Sequence, residues 1–157
     1  ATCKLAQYST SNTSSSYLVE RTKLSADDAV LNKEFNNKIL IIEPDEALNY
    51  LLKTTGEMQG YEVAAVQDYD TAINLVKTFD PALIVLDAGD ADTMKGLELC
   101  KKLKKDNHFK DKKIILSTII HDKRMVLNTG ADLYLPKPYE LLGIFNWIEQ
   151  MVKEFNY

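Results

Sequence analysis

The sequence predicts an α/β fold, a doubly wound five-stranded parallel sheet with helices on both faces. Three observations support this fold class. From residue 38 onward, short strand-like runs and helix-like segments alternate five times. The strand-like runs are almost entirely apolar, as is typical of parallel strands buried on both faces. A length of 157 residues with 45% hydrophobic content is sufficient for one main domain with its own core.

The first 37 residues are predicted to form a linker and a short helix, which precede a domain of residues 38–157. Residues 9–16 are all Ser, Thr or Asn, a composition typical of a flexible linker. Ser25, followed closely by two acidic residues, resembles a helix N-cap, so we expect a helix over residues 26–36. A helix this short is not stable alone. It either packs on the main domain or connects it to a preceding domain or a partner subunit.

The alternating segments of the main domain have clear boundaries. Strands are predicted at residues 39–42, 62–66, 83–87, 114–117 and 132–135. Helices, which have apolar residues at helical spacing, are predicted at residues 46–58, 69–79, 95–105, 122–128 and 140–155. Gly60 and Gly130 end two of these helices, and Pro81 stops the helix before the third strand. This order of segments is typical of right-handed crossovers between parallel strands.

Composition and charge exclude several classes of function. A formal net charge of -4 argues against direct binding of nucleic acid. The two cysteines, Cys3 and Cys100, are too few for a disulfide framework or a thiolate metal site, which is typical of a cytoplasmic protein. No apolar run has the length of a membrane span, so we expect no membrane association.

Ionisable residues stand where three of the predicted strands end. Asp87 closes the run LIVLD, Glu43 follows KILII, and Lys137 follows DLYLP. Open α/β sheets bind and react at the carboxyl ends of their strands. If these strands lie side by side, two carboxylates and one ammonium meet at that edge of the sheet.

The segments ILIIEPD, DPALIVLD, IILST and GADLYLPKPY, in that order, resemble the receiver domain of two-component response regulators. The resemblance covers nearly all of residues 38–155. It implies a flavodoxin-like sheet with strand order 2-1-3-4-5. It also implies that Asp87 accepts a phosphoryl group from a histidine kinase. Such a domain is a signalling module and not an enzyme, beyond catalysing its own phosphoryl transfer and dephosphorylation.

The resemblance also assigns roles to the residues around Asp87. Lys137 matches the ammonium that neutralises the phosphoryl oxygens, and the bond to the following Pro138 is usually cis in this family. Ser117 or Thr118 matches the hydroxyl that contacts the phosphoryl group, with Ser117 preferred. Tyr134 matches the switch residue.

A magnesium site is implied by the same resemblance, with one departure. Glu43, Asp87 and the backbone carbonyl of Gly89 match the usual ligands, but Pro44 replaces the second of two adjacent acids. Asp45 can substitute only if its loop turns it inward, and we favour an N-cap role for it. Two further acids lie in the loop after Asp87 and either recruit a cation or are simply solvated: Asp90 and Asp92.

The expected partners are a histidine kinase or a phosphotransfer protein, and a homodimer through the fourth helix, fifth strand and fifth helix of the domain. An output domain is expected upstream or in another chain, because no DNA-binding segment follows Tyr157. The alternative is a pseudo-receiver, a protein-interaction module that works without phosphorylation. A flavin-binding flavodoxin-like protein is far less favoured, because the loop EPDEA (43–47) carries acids where a phosphate would bind.

Overall fold

Six parallel strands form the sheet in the computed structural model, which describes residues 4–5, 34–90, 92–119 and 122–157. In chain order the strands are Lys4–Leu5 (β1), Lys38–Ile42 (β2), Glu62–Val66 (β3), Leu83–Asp87 (β4), Lys113–Thr118 (β5) and Leu133–Pro136 (β6). The helices that connect and follow them are Glu46–Met58 (α1), Ala72–Phe79 (α2), Lys95–Lys105 (α3), Lys123–Leu127 (α4) and Leu141–Asn156 (α5).

The strand order across the sheet is β1-β6-β5-β4-β2-β3. Counted from Lys38 onward, the five longer strands therefore lie in the order 2-1-3-4-5, which confirms the predicted fold. Every pair is parallel, and β2 lies between β3 and β4 in the centre of the sheet. The carboxyl ends of β2, β4, β5 and β6 consequently meet at one edge.

Apolar side chains cover the sheet on both faces. On one face, α1 and α5 pack against alternate residues of the strands, with Leu52 and Ile148 fully enclosed. On the other face, α2, α3 and α4 pack against the remaining residues, with Val76, Leu103 and Val126 enclosed. This two-sided burial explains why the strands read as continuous apolar runs in the sequence.

The N-terminal region differs from the prediction of a linker and a helix. Lys4–Leu5 pairs in parallel with Leu133 and Tyr134 and adds a short strand to the edge of the sheet. Residues 34–36, at the end of the predicted helix, are not helical. A long-range hydrogen bond holds Asn36 instead: its backbone N–H donates to the Asn156 side chain at 2.8 Å. The predicted linker (9–16) and the rest of the predicted helix (26–33) lie outside the described residues.

Helix α2 begins three residues later than predicted. The carboxylate of Asp68 accepts hydrogen bonds from the backbone N–H and the hydroxyl of Thr71, both at 2.9 Å. These bonds form a turn that competes with the helix. The helix therefore starts at Ala72, and Tyr69 lies in the loop at the carboxyl end of β3.

Gly96 is where α3 approaches the end of β4 most closely. A Cβ at this position would overlap the backbone oxygen of Asp87 and come within 2.5 Å of the carbonyl carbon of Ala88. Leu97 N–H donates to the Ala88 carbonyl at 3.1 Å, which fixes the helix against the strand end. The absence of a side chain at Gly96 thus helps to set the position of Asp87.

We predict that Gly96→Ala lowers the free energy of unfolding by about 2 kcal/mol or more, because the added methyl has no space beside backbone atoms. The matched control is Gly143→Ala in α5, where the nearest atom to a new Cβ is 3.8 Å away. That variant should keep or slightly raise stability, by up to about 1 kcal/mol. Urea unfolding measures both. Equal stability of the two variants would contradict this account of the α3 contact.

Candidate functional site

Three charged side chains meet at the carboxyl edge of the sheet. Glu43 follows β2, Asp87 ends the neighbouring β4, and Lys137 follows β6. The Lys137 Nζ atom lies 2.7 Å from Glu43 Oε2 and 2.8 Å from Asp87 Oδ1. One ammonium therefore bridges the two carboxylates.

Hydrogen bonds on both sides position this cluster. The Lys137 N–H donates to the Thr118 carbonyl at 2.9 Å, and the Lys137–Pro138 peptide bond is cis. On the other side, the buried side-chain amide of Asn49 donates to the carbonyls of Glu43 and Val66, at 3.0 and 2.9 Å. Asn49 thereby ties the end of β2 to α1. Sequence reasoning did not assign this role, since Asn49 stands within an amphipathic helix pattern.

Burial and pairing with an opposite charge have opposing effects on the pKa values of Glu43 and Lys137. The side chains are only 3% (Glu43), 13% (Asp87) and 17% (Lys137) exposed. Burial raises the pKa of Glu43, and the hydrogen bond from Lys137 opposes that rise only in part. Burial lowers the pKa of Lys137, but its hydrogen bonds to Asp87 and Glu43 outweigh this and raise it overall. Lys137 is therefore a stable cation at neutral pH.

Tyr69 contacts the same carboxylate and was not predicted as a site residue. Its hydroxyl donates to Asp87 Oδ2 at 3.0 Å and lies 3.2 Å from the Asp87 carbonyl oxygen. The Gly89 N–H donates to the same Oδ2 at 2.9 Å. The sequence pattern placed Tyr69 in a helix. Its position after β3, at the edge where the strands end, was the signal that could have identified it as a site residue. Burial, followed by the charge of Asp87, raises the pKa of Tyr69, so its hydroxyl keeps its proton.

The predicted hydroxyl and switch residues lie on the two strands beside Asp87. Ser117 pairs with Asp87 across β5 and β4, and its buried Oγ has no hydrogen-bond partner within the described part of the chain. Side chains alternate along a strand. Thr118 therefore faces the opposite side, where Tyr134 is 5% exposed in the core formed with α2 and α3.

The remaining acidic candidates have structural roles. Asp45 is the N-cap of α1, and its Oδ1 accepts from the Leu48 N–H at 2.8 Å, as favoured from the sequence. Asp90 Oδ1 accepts from the N–H groups of Asp92 and Thr93, at 3.0 and 2.7 Å. These bonds to Thr93 lower the pKa of Asp90. Asp92 is exposed in that turn.

A cavity of about 520 Å³ opens beside Asp87. Its walls include the carboxylates of Glu43 and Asp87, the ammonium groups of Lys95 and Lys137, and the ring of Tyr69. An anion entering this space would meet two cations close to the buried carboxylate of Asp87.

A family model described as the response regulator receiver domain matches residues 39–149. This chain belongs to the response regulator receiver family. The alkaline phosphatase synthesis transcriptional regulatory protein PhoP of Bacillus subtilis (strain 168) is 33% identical over 105 residues, which cover 66% of this chain and 43% of that protein. The DNA-binding dual master transcriptional regulator RpaA of Synechocystis sp. (strain PCC 6803) is 33% identical over 107 residues, which cover 66% of this chain and 44% of that protein. The receiver chain thus spans less than half the length of these curated relatives.

Solved structures agree with this assignment. The receiver domain of a signal transduction histidine kinase from Syntrophus aciditrophicus superimposes with a TM-score of 0.68 at 27% identity, covering 75% of this chain and 91% of that one. A CheY-like receiver domain protein from Methanospirillum hungatei JF-1 also gives 0.68 at 27% identity, covering 76% and 96%. The chain is therefore a receiver domain of two-component signalling. No helix within the described ranges is long and apolar enough to cross a membrane.

Receiver domains generally bind Mg²⁺ at their acidic site, so we tested whether the residues of this receiver fit that ion. Both oxygens of Glu43 already accept hydrogen bonds, one from the Asp45 N–H at 3.0 Å and one from Lys137. Both oxygens of Asp87 do so as well. Pro44 offers no side-chain oxygen. No cluster of three or more His, Cys, Asp or Glu side chains able to hold a metal occurs in the part of the chain that is described. The residues as arranged do not fit Mg²⁺, because Pro44 removes one acid and the Lys137 ammonium lies against an oxygen of each remaining acid.

We predict that Lys137→Met lowers the free energy of unfolding by roughly 3 kcal/mol at neutral pH, because two buried carboxylates lose their shared partner. The loss should shrink as the pH falls through the raised pKa of Glu43, because a protonated Glu43 leaves one buried charge fewer without its partner. Denaturant unfolding across pH measures both effects.

The control is Lys53→Met, which removes an exposed pair with Glu57 in α1. Its cost should stay below about 0.5 kcal/mol at every pH. If Lys137→Met costs no more than this control, the ammonium does not stabilise the cluster.

Proposed function

We propose that this receiver domain accepts a phosphoryl group on Asp87 from a histidine kinase or a phosphotransfer protein, and that phosphorylation switches a protein-interaction surface. The bridging ammonium is the observation that carries the proposal. Lys137 Nζ lies 2.8 Å from Asp87 Oδ1, at the wall of a cavity that also contains Lys95. A carboxylate that attacks an anionic phosphorus needs such positive charge beside it.

The hydrogen bonds of Asp87 indicate which oxygen reacts. A carboxylate has about four lone-pair positions. Among the described contacts, Oδ2 accepts two hydrogen bonds and Oδ1 accepts one. Oδ1 thus keeps a lone pair that forms the new O–P bond. The bond from phosphorus to the donor breaks, and the leaving imidazole or carboxylate takes its electron pair. Lys137 neutralises the phosphoryl oxygens during this exchange.

Ser117, Thr118 and Tyr134 are proposed to read the phosphorylated state. Ser117 is adjacent to Asp87, and its buried hydroxyl is without a partner within the described region, so a phosphoryl oxygen would satisfy it. Thr118 shares a strand face with Tyr134, whose side chain is packed in the core. A shift of either hydroxyl towards the phosphoryl group would change the packing around Tyr134 and the face formed by α4, β6 and α5.

That face carries features of an interaction surface. Leu127 on α4 and Leu142 on α5 are 47% and 69% exposed. Exposed apolar side chains of this size are favourable partner contacts. We propose this face for a homodimer or an output partner. Any such contact must accommodate Lys4–Leu5, which already pairs with β6 at Leu133 and Tyr134. A cytoplasmic location and an output domain elsewhere remain predictions.

A pseudo-receiver is the second candidate, and a specific observation favours it. Pro44 removes an acid, and the four carboxylate oxygens of Glu43 and Asp87 already hold hydrogen-bond donors. A chain that never accepts a phosphoryl group would present its α4–β6–α5 face constitutively. The following experiment separates the two functions.

Incubation with acetyl phosphate should add the mass of one phosphoryl group to the parent chain and none to Asp87→Asn, because the amide is not a nucleophile. Intact-protein mass spectrometry measures the adduct. Asp90→Asn is the matched control, since it changes a neighbouring acid that lines the same cavity but lies in an exposed turn. Asp90→Asn should be labelled like the parent. No adduct on the parent, with or without added Mg²⁺, would establish the pseudo-receiver.

A second prediction concerns the hydroxyl that holds the phosphoryl group. Ser117→Ala should shorten the lifetime of the phosphorylated chain about tenfold, the effect of losing one hydrogen bond to a charged group. Thr118→Val keeps the shape of the neighbouring side chain and should leave the lifetime unchanged. Decay of the mass adduct after removal of the donor measures both variants. The opposite result would assign the contact to Thr118.

A further inference from the structure

We infer that Tyr69 takes the place of a cation at Asp87: its hydroxyl, together with the Gly89 N–H, holds the Oδ2 oxygen that a divalent ion would use. Tyr69 is thus a positioning residue of the site. The inference deepens the proposed function, and its consequence for phosphoryl transfer rests on that function. Its central claim, competition between a hydroxyl and a cation, concerns the unphosphorylated chain.

The ring of Tyr69 is held so that its hydroxyl reaches Asp87. It is half-buried and packs against the core between the sheet and α2 and α3. The turn closed by Asp68 and Thr71 fixes the backbone on either side of it. Gly89, with φ of 87°, turns its backbone N–H towards the same carboxylate oxygen at 2.9 Å. The packed ring and the turn together place the hydroxyl at this oxygen.

A hydroxyl and Mg²⁺ cannot use the same lone pair of Oδ2. Mg²⁺ requires oxygen ligands at about 2.0–2.1 Å with their lone pairs directed at the metal. Oδ2 directs its lone pairs at Tyr69, at 3.0 Å, and at the Gly89 amide, at 2.9 Å. Both contacts are hydrogen-bond donors, the hydroxyl of Tyr69 and the backbone N–H of Gly89. Binding of a cation would therefore require the hydroxyl to leave.

The other carboxylate oxygens of the site are unfavourable for a divalent cation, because two of them contact the Lys137 ammonium, which would repel it. Asp87 Oδ1 and Glu43 Oε2 contact Lys137, and Glu43 Oε1 accepts from the Asp45 N–H. Donors of the chain thus contact every carboxylate oxygen of Glu43 and Asp87. Phosphoryl transfer to Asp87 should accordingly depend weakly on Mg²⁺.

The test compares Mg²⁺ binding by the parent chain, Tyr69→Phe and Tyr50→Phe, measured by isothermal titration calorimetry without any phosphodonor. Tyr69→Phe keeps the ring and removes only the hydroxyl. Tyr50→Phe is the matched control, because Tyr50 is 66% exposed on α1. The same substitutions are repeated in a Pro44→Asp background, which adds a carboxylate and makes the affinity measurable.

Tyr69→Phe should tighten Mg²⁺ binding about tenfold in the Pro44→Asp background, since removing one hydrogen bond to a charged group frees Oδ2 for the metal. Tyr50→Phe should leave the affinity unchanged. Equal affinity of the Tyr69→Phe and parental chains in that background would overturn the inference. A merely structural role for Tyr69 would lower thermal stability without tightening Mg²⁺ binding, and that result also counts against it.

The acetyl phosphate reaction then separates this inference from the proposed function. The parent should be labelled at nearly the same rate with and without Mg²⁺, whereas Tyr69→Phe should become dependent on Mg²⁺. A parent that is not labelled refutes phosphorylation of Asp87 and leaves the binding result valid. A parent whose labelling requires Mg²⁺ as strictly as that of Tyr69→Phe refutes the role of Tyr69 and leaves phosphorylation intact.

Discussion

The Lys137 ammonium lies between two buried carboxylates, and the arrangement of the whole carboxyl edge depends on it. Glu43 and Asp87 belong to neighbouring central strands, so parallel pairing alone forces their side chains together. Two like charges at this burial are unfavourable unless a cation or a proton compensates them. The chain supplies the cation from the last strand, and the Lys137 N–H anchors that segment to Thr118 of β5. The segment that follows β6 therefore supplies the positive charge that compensates the carboxylates of Glu43 and Asp87.

Strand periodicity and strand ends made most of this architecture predictable. Apolar runs flanked by Pro81, Gly60 and Gly130 have few alternative interpretations. The strand order came from the family resemblance and not from these patterns, and it brings Glu43, Asp87 and Lys137 to one edge. Features set by hydrogen bonds outside the helical and strand patterns were not predictable. Tyr69 fits a helical pattern, but the Asp68–Thr71 turn removes it from the helix and directs its hydroxyl to Asp87. Asn36 is likewise held by Asn156, which is 120 residues away in sequence. The strand Lys4–Leu5 is too short for any periodicity to reveal it.

The path from the site to the proposed output surface runs through two adjacent strands. Ser117 and Thr118 end β5 beside Asp87, and the Thr118 carbonyl is bonded to the Lys137 N–H at the end of β6. Tyr134 is in the middle of β6 and is enclosed by the core that includes Leu116 and Val126. Because close-packed cores do not deform continuously, the proposed switch requires a change at the strand ends to favour one discrete arrangement of Tyr134 over another. The short α4, with five residues, belongs to that proposed surface and contacts the same core through Val126.

The proposed replacement of a metal by donors of the chain changes the charge balance of the proposed phosphoryl transfer. A tyrosine hydroxyl and a backbone amide orient Asp87 but carry no net charge, whereas Mg²⁺ would bring two positive charges to the phosphoryl oxygens. Neutralisation then depends on the lysines that line the cavity, Lys137 in contact with Asp87 and Lys95 at the start of α3. Lys137 also pairs with Glu43, at 2.7 Å, so its single positive charge is shared between that carboxylate and the phosphoryl group. The same ammonium that makes the folded edge possible therefore limits how strongly the site can stabilise an incoming anion.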